Sequence, residues 1–308
     1  MIPEYNIKFE FSVLRCFEAC VLTILDNFKL DWRITLLHTF QMYFDQERNR
    51  RQAMILKSND IILENVDRYY NISFSKKVVN TDSYVWRILT KNQILPVIIE
   101  LDGYCCKWLD YYNRIHASHQ IICIALDDGA AGIYCADPVG SKQVEFLDKN
   151  TLNNSVTSIY FPVGGQSKSP DFKDAYKRMK NLLRQDDIYN QYTSLIDVLN
   201  KSRILSSADS SQSFWELNDA IKWAHFVVGM RFLFSQFLSG CYEHASGIRL
   251  DSINQLRGIT GAWKHLNNIV LRRNLRYSSG VTEMEDILKE KVISIIENEK
   301  DFITSLLK

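Results

Sequence analysis

Glycine, proline and charge of one sign are all scarce in this chain of 308 residues. The 12 Gly and 5 Pro argue against long flexible linkers and against a glycine-rich phosphate-binding loop. The 37 Lys and Arg almost balance the 36 Asp and Glu, which leaves a formal net charge of +1. A protein with this balance has no overall basic field, so we expect no nucleic acid among its partners.

Long apolar runs are missing as well. A membrane-spanning helix needs about 18 or more consecutive apolar residues, and the most apolar helical stretch, residues 224–238, is interrupted by Arg231 and Gln236. The first residues lack the basic start and the apolar stretch of a signal peptide. We therefore expect a cytoplasmic protein with no membrane partner, whose seven cysteines are reduced thiols.

The apolar residues that are present, 46% of the chain, are enough for roughly two domains with sizeable cores. Residues 1–165 mix helical and strand patterns, whereas residues 170–308 are almost wholly helical. A Gly, Pro and Ser cluster at residues 161–170 separates the two parts. In the first domain, turns rather than helices separate the strand patterns, and this arrangement predicts an antiparallel sheet. The expected fold class is α+β, with an all-helical C-terminal domain packed on the first.

A cysteine stands where a helix is expected to begin. Residues 16–28 carry the apolar periodicity of a helix, and Cys16 falls in its first turn. Unpaired backbone N–H groups and the positive end of the helix dipole stabilise a thiolate at such a position. Cys20 lies one turn later on the same helix face, further into the core. Cys16 is therefore the candidate nucleophile, and Cys20 is expected to be packing.

A histidine and an aspartate flank two apolar strands that follow each other. His119 precedes the strand at residues 120–126, and Asp137 follows the strand at residues 132–136. If the turn at residues 127–129 joins them into a hairpin, the far ends of the strands meet, and His119 lies beside Asp137. An imidazole that faces a thiol with one nitrogen and a carboxylate with the other suits nucleophilic catalysis by cysteine.

These residues resemble a known pattern. Cys16-x-x-Ala-Cys20 opening an apolar helix, a histidine starting a strand, and Asp137-Pro138 after the following strand are similar to papain-fold peptidases that trim double-glycine leader peptides. The chain more closely resembles the related butirosin biosynthesis protein H type N-terminal family. The shared features, within about residues 10–162, also include Pro96-Val-Ile-Ile-Glu-Leu-Asp102-Gly-Tyr104, Tyr111-Tyr112 and His116-Ala-Ser-His119.

The resemblance implies a papain-like N-terminal domain that carries out acyl transfer in natural-product biosynthesis. An acyl or peptidyl carrier protein would supply the acyl group as a thioester, and a small amine would accept it as an amide. In the implied Cys-His-Asp triad, Cys16 is the nucleophile, His119 the general base and acid, and Asp137 the group that orients His119. No cofactor is expected, because the thioester already stores the activation energy.

Residues beside the implied triad are candidates for binding substrate. Tyr104, Tyr111 and Tyr112, with Trp108, could wall a pocket that excludes water, and Asp102 or Glu100 could hold a cationic amine. Core packing and a turn at Asp102 are the simpler readings of the same residues.

Two positions depart from the family pattern. Phe17 stands where a glycine commonly follows the nucleophile, and residues 10–14 lack the glutamine that donates to the oxyanion in papain-like enzymes. The backbone N–H of Cys16 can supply one donor, and the second is unassigned. Loss of one such donor typically costs ~10²–10³-fold in rate. A thioester is a more activated acyl donor than a peptide, so the missing donor counts more against the peptidase hypothesis than against the acyltransferase hypothesis.

Four alternatives stay open at this point. A cysteine peptidase or amidohydrolase would form the same acyl-enzyme and differ only in the final acceptor. A catalytically inactive binding scaffold would keep the fold alone. His116 is a rival to His119 as the base, although His119 directly adjoins the apolar strand. A metal site is disfavoured because no Cys-x-x-Cys pair occurs; its ligands would come from His116, His119, Cys105, Cys106, Cys123 and Cys135.

Overall fold

The computed structural model of the chain combines helices with an antiparallel sheet, which confirms the predicted α+β class. The residues that it describes are 4–40, 53–79, 85–92, 94–127, 129, 131–165, 169–185, 219–245, 247–274 and 281–308. Contacts divide the chain into two compact units. The first unit comprises Met1–Trp32 and Leu63–Ser169, and the second comprises Arg33–Ile62 and Pro170–Lys308. The papain-like arrangement itself stays a prediction.

A six-stranded sheet forms the centre of the first unit. In sequence its strands are β1 (Ile72–Val78), β2 (Val97–Asp102), β3 (Ser118–Asp127), β4 (Gly132–Ala136), β5 (Glu145–Asp148) and β6 (Val156–Gly164). Their order in the sheet is β1-β6-β2-β3-β4-β5, and every neighbouring pair is antiparallel. Strand β6 runs through Pro162 to Gly164, so the start of the Gly, Pro and Ser cluster is strand paired with β1.

The described chain also contains α-helices, joined to the strands by loops and turns. They are α1 (Cys16–Asn27), α2 (Ala53–Tyr70), α3 (Val85–Asn92), α4 (Lys149–Ser155), α5 (Phe172–Gln185), α6 (Asp219–His244), α7 (Leu250–Asn274) and α8 (Val281–Leu307). Short 3-10 turns cover Phe9–Val13, Trp32–Leu36 and Gly103–Cys105. Among the described helices, none has both the length and the apolar character needed to cross a bilayer.

The central strands are buried because their residues are β-branched and apolar on both faces. Val97, Ile98 and Ile99 of β2 are fully buried, as are Ile121 and Ile122 of β3. Such continuous runs, rather than an alternating pattern, are typical of strands covered on both sides. A rigid core of this kind fixes the register of the strand ends, where the polar residues stand.

The strand register brings the predicted residues to one end of the inner strands β3 and β4. The β3–β4 hairpin pairs Cys123 with Cys135 and Ile122 with Ala136. Asp137 therefore comes directly after the last pair of this ladder, at the end of β3 that carries His119. On its other side, β3 pairs with β2, and His119 lies opposite Leu101.

An ion pair is buried inside the second unit. Arg231 of α6 and Glu299 of α8 are both fully buried, and the guanidinium binds the carboxylate through Nε–Oε1 at 2.6 Å and Nη2–Oε2 at 2.9 Å. Nη1 of Arg231 also donates to the carbonyl of Phe40 at 2.8 Å, and the indole of Trp263 donates to Glu299 at 2.8 Å. Donors thus converge on one carboxylate, which joins three separate segments of this unit.

Neutralising this carboxylate is expected to destabilise the second unit. Glu299→Gln leaves Arg231 charged, buried and facing an amide that carries a donor of its own, so we expect a loss of ~3–5 kcal/mol in the free energy of unfolding. Urea unfolding of the full chain measures the change. Glu297→Gln, which neutralises an exposed carboxylate on the same helix, is the matched control and should change stability by no more than about 0.5 kcal/mol. Equal stability of the two variants would contradict the prediction.

Candidate active site

Cys16 is the first residue of α1, as its position in the sequence predicts. The N-cap residue is Arg15, in an extended conformation. Its side chain pairs with buried Glu18, Nη2 to Oε1 at 2.6 Å, and because a guanidinium only donates it cannot cap the N–H groups of the first turn. Those N–H groups have no partner within a helix, so the sulfur of Cys16 lies at a helix end that favours negative charge.

A chain of two hydrogen bonds links the cysteine to the aspartate. The Sγ atom of Cys16 lies 3.3 Å from Nδ1 of His119, and Nε2 of His119 lies 2.7 Å from Oδ2 of Asp137. An ionised carboxylate can only accept, so Nε2 of His119 carries a proton and donates it to Asp137. Nδ1 is therefore the nitrogen that exchanges a proton with the thiol. The structure brings these three predicted residues together.

Asp137 is held at the end of β4 by donors on both of its oxygens. Its Oδ1 accepts the backbone N–H groups of Val139 at 3.0 Å and Gly140 at 2.9 Å, and its Oδ2 accepts the indole N–H of Trp108 at 2.7 Å. Burial disfavours the carboxylate, but the hydrogen bond and charge of His119, together with these donors, outweigh burial and lower the pKa of Asp137. The buried side chain is therefore ionised.

The glycine at position 140 keeps room for that carboxylate. A Cβ atom on Gly140 would lie 2.5 Å from Oδ2 of Asp137 and would also meet the side chain of Leu109. Any larger residue there would displace the aspartate from His119, so Gly140 is a positional requirement that the sequence alone does not reveal.

His119 is a buried imidazole with a strongly shifted charge. Burial works against its protonated form, but the hydrogen bonds to Asp137 and Cys16 outweigh this effect and raise the pKa of His119 to about 10. At neutral pH the ring is therefore an imidazolium, which places a positive charge 3.3 Å from the sulfur of Cys16. A positive charge beside a cysteine at a helix start is the setting of nucleophilic thiols.

The other thiol of α1 has the opposite surroundings. Cys20 is fully buried, and its Sγ donates to the carbonyl of Gln120 at 3.5 Å. Burial raises the pKa of the Cys20 thiol well above its ordinary value, so it stays protonated. All seven cysteines are free thiols; Cys16 and Cys105 are partly exposed and the other five are buried.

The rival histidine makes a separate pair. His116 binds Asp102, Nδ1 to Oδ2 at 2.5 Å, and its ring stacks on Tyr104 with centroids 4.3 Å apart. The backbone N–H groups of Tyr104 and Ala117 donate to the other oxygen of Asp102. The structure thus joins two of the predicted substrate-binding residues to His116, and leaves His119 as the histidine that contacts Cys16.

Tyr111, the third predicted substrate-binding residue, packs beside the site rather than with Asp102. Its ring lies against Gly103, where a Cβ atom would come 2.9 Å from the hydroxyl oxygen. Burial raises the pKa of the Tyr111 phenol, and among charged groups Cys16 has the largest further effect. The phenol is therefore a neutral donor within electrostatic range of the thiol.

Glu100, the alternative to Asp102 as a cation site, already binds one cation and two hydroxyl donors of the chain itself. It accepts Lys76 at 3.1 Å, Ser118 at 2.9 Å and Tyr160 at 2.8 Å. The sequence does not single out Lys76, because it lies in the exposed part of β1, of which only the first residue is buried.

No three His, Cys, Asp or Glu side chains in the described part of the chain are grouped so that they could hold a metal ion. A scan against protein-family models finds no match, and a search of curated protein sequences finds no relative. The function is therefore inferred from the geometry of the site and from the sequence pattern.

Proposed function

We propose that the chain is a cysteine-dependent N-acyltransferase of papain-like architecture, which moves an acyl group from a carrier-protein thioester to an amine. The observation that carries this proposal is the hydrogen-bonded chain from Cys16 through His119 to Asp137. A helix-borne cysteine packed against an antiparallel sheet that bears the histidine and aspartate supports the papain-like arrangement. A cytoplasmic location and a natural-product pathway belong to the same proposal.

The first half-reaction is transfer of the acyl group to the enzyme. The thiolate of Cys16 attacks the thioester carbonyl, and a tetrahedral oxyanion forms near the backbone N–H groups at the start of α1. When this intermediate collapses, the C–S bond to the carrier breaks, and the proton on Nδ1 of His119 goes to the departing carrier thiolate. Cys16 is left as a thioester, and His119 is left neutral.

The second half-reaction transfers the acyl group to nitrogen. The neutral amine attacks the acyl-Cys16 carbonyl, and Nδ1 of His119 takes the proton that the nitrogen loses. Breaking the C–S bond releases the amide and restores the thiolate beside the imidazolium. Asp137 stays ionised throughout, because it only accepts hydrogen bonds and stabilises the charged imidazole.

Acylation by a thioester tests this function directly. Wild-type protein is mixed with a carrier protein loaded with a simple acyl thioester, and intact-mass spectrometry follows the chain. We expect a mass increase equal to one acyl group, which a primary amine then removes as an amide faster than water alone. If the adduct disappears at the same rate with and without the amine, water is the acceptor and the protein is a hydrolase. No adduct with several different thioesters would overturn the proposal and favour an inactive scaffold or a peptidase.

A further inference from the structure

We propose that His116, held by Asp102, is a second base that binds the ammonium group of the acceptor and takes its proton before the amine attacks. This inference rests on the proposed function, in which the second half-reaction needs a neutral amine. A primary alkylamine is mostly protonated at neutral pH and has no lone pair to attack with. An acceptor of this class must therefore lose one proton before the bond to carbon forms.

The His116–Asp102 pair has the geometry of an oriented base. Asp102 is ionised, because its hydrogen bonds from His116, Tyr104 and Ala117 outweigh the effect of burial and lower its pKa. Its Oδ2 lies 2.5 Å from Nδ1 of His116, so Nδ1 carries a proton and donates it, which leaves the lone pair of a neutral ring on Nε2. Within the described residues Nε2 has no hydrogen-bond partner, and the His116 side chain is 74% exposed. Its acceptor nitrogen is thus open to an incoming ligand.

The ring of His116 is also fixed in direction. It stacks on Tyr104 with an interplanar angle of 10°, and the backbone of Tyr104 is itself bound to Asp102. An exposed histidine that serves only solubility has no need of both a carboxylate and an aromatic platform. Orientation by a carboxylate is the arrangement that prepares an imidazole to accept a proton.

The backbone of Asp102 lies close to that of His119. Asp102 is opposite Ser118 in the β2–β3 ladder, and the next pair is Leu101 and His119. Ladder spacings therefore place the Cα atoms of Asp102 and His119 roughly 6 Å apart. Since side chains alternate along a strand and paired residues share a face, Leu101 and His119 belong to one sheet face, whereas Asp102 belongs to the other face with Glu100 and Ser118.

Helix α1 covers that same face of the sheet. Phe17, the residue after the nucleophile, contacts the ring of Tyr160 at 4.6 Å, and the hydroxyl of Tyr160 donates to Glu100. Contacts therefore lead from Phe17 through Tyr160 to Glu100, and Asp102 with His116 follows Glu100 on the same face. An amine bound at His116 would approach the acyl group from this side.

Charge along the row favours a cation at Asp102 rather than at Glu100. Lys76 pairs with Glu100 at 3.1 Å and balances its charge. Among the described residues, the imidazole of His116 is the one side chain that pairs with Asp102, so a neutral ring leaves one negative charge unbalanced. An ammonium group at Nε2 compensates that charge, and transfer of its proton to Nε2 gives an imidazolium–carboxylate pair and a neutral amine. The proton later leaves to solvent, so His116 returns to its neutral form.

Two acceptors that differ in protonation test this role. Acyl-enzyme is prepared first, and its aminolysis is followed with a primary alkylamine, which enters as a cation, and with hydroxylamine, which is neutral near neutral pH. In His116→Gln and Asp102→Asn we expect aminolysis by the alkylamine to slow by ~10²-fold, a typical general-base effect. Aminolysis by hydroxylamine and formation of the acyl-enzyme should change by less than about threefold, because neither step removes a proton from an ammonium group.

His265→Gln is the control, because it replaces another exposed histidine outside the first unit. An unchanged alkylamine rate in both variants of the pair would overturn the inference. Equal slowing with the alkylamine and hydroxylamine would also overturn it, since this result indicates a structural role. Absence of any acyl-enzyme in the wild type would instead contradict the proposed function, so the two failures are distinguishable.

Discussion

Replacing Cys16 by alanine is expected to abolish the acyl adduct, whereas Cys20→Ala should leave it in place. The two thiols lie one turn apart on α1, but their surroundings differ. Cys16 is partly exposed and faces the imidazole of His119 at 3.3 Å. Cys20 is buried, and burial keeps its thiol protonated. The thiolate is the attacking species, so only Cys16 has both access to a substrate and a partner for its proton.

Intact-mass spectrometry after mixing with the loaded carrier protein measures the adduct in each variant. Loss of a residue that acts with the others as a unit typically lowers the rate by ~10⁶-fold, which leaves no detectable adduct. Cys105→Ala is a useful companion, because Cys105 is the other partly exposed thiol. Burial also raises the pKa of that thiol, so it should not react in place of Cys16. An adduct that survives in Cys16→Ala and disappears in either companion would show that the nucleophile has been misassigned.

The parts of the site that sequence reasoning could predict are those determined by local pattern. Helical periodicity places Cys16 at the start of a helix, and the structure has α1 begin at that residue. Apolar runs separated by a turn predict the β3–β4 hairpin, and its register follows because a slip would turn the buried faces outward. Once the hairpin exists, the meeting of His119 and Asp137 is a geometric consequence.

The parts that could not be predicted depend on contacts between distant segments. Strand β1 has only Ile72 buried, so a buried apolar run does not reveal it, and it forms because β6 supplies a partner. Nothing in the sequence indicates that the indole of Trp108 donates to Asp137. That hydrogen bond forms only when the loop between β2 and β3 brings Trp108 to the end of β4. The hydrogen bond between His116 and Asp102 likewise depends on the fold of that loop and is not visible in the sequence.

The aspartate of the site should be unusually intolerant of the smallest possible change. In Asp137→Asn the side chain keeps its shape, but an NH₂ group must replace one of two oxygens that both only accept hydrogen bonds in the wild type. On Oδ1 the NH₂ would face the N–H groups of Val139 and Gly140, and on Oδ2 it would face those of Trp108 and His119. Either choice opposes donor to donor, so the amide cannot reproduce the network.

The amide orientation that keeps its oxygen on the N–H groups of Val139 and Gly140 preserves the backbone turn, and this orientation damages catalysis. With NH₂ directed at His119, the imidazole must accept at Nε2 and carry its proton on Nδ1, so Nδ1 cannot take the proton of Cys16. A wrong tautomer of this kind lowers acyl transfer by ~10⁴-fold in other nucleophile–histidine–aspartate enzymes, and we expect a loss of that order in the rate of acyl-enzyme formation. Trp108→Phe, which keeps the carboxylate and removes one donor, should cost only about tenfold.

The pH profile of acyl-enzyme formation distinguishes this mechanism from a general loss of structure. In the wild type the imidazolium persists up to the pKa of about 10 that Asp137 and Cys16 give to His119, so the rate should fall only as the pH rises through that value. Asp137→Asn removes the strongest interaction that raises this pKa and leaves the burial that lowers it. The alkaline limb of the residual activity should therefore move to lower pH. An unchanged limb, with the same fall in rate at every pH, would mean that Asp137 does not act through the charge of His119.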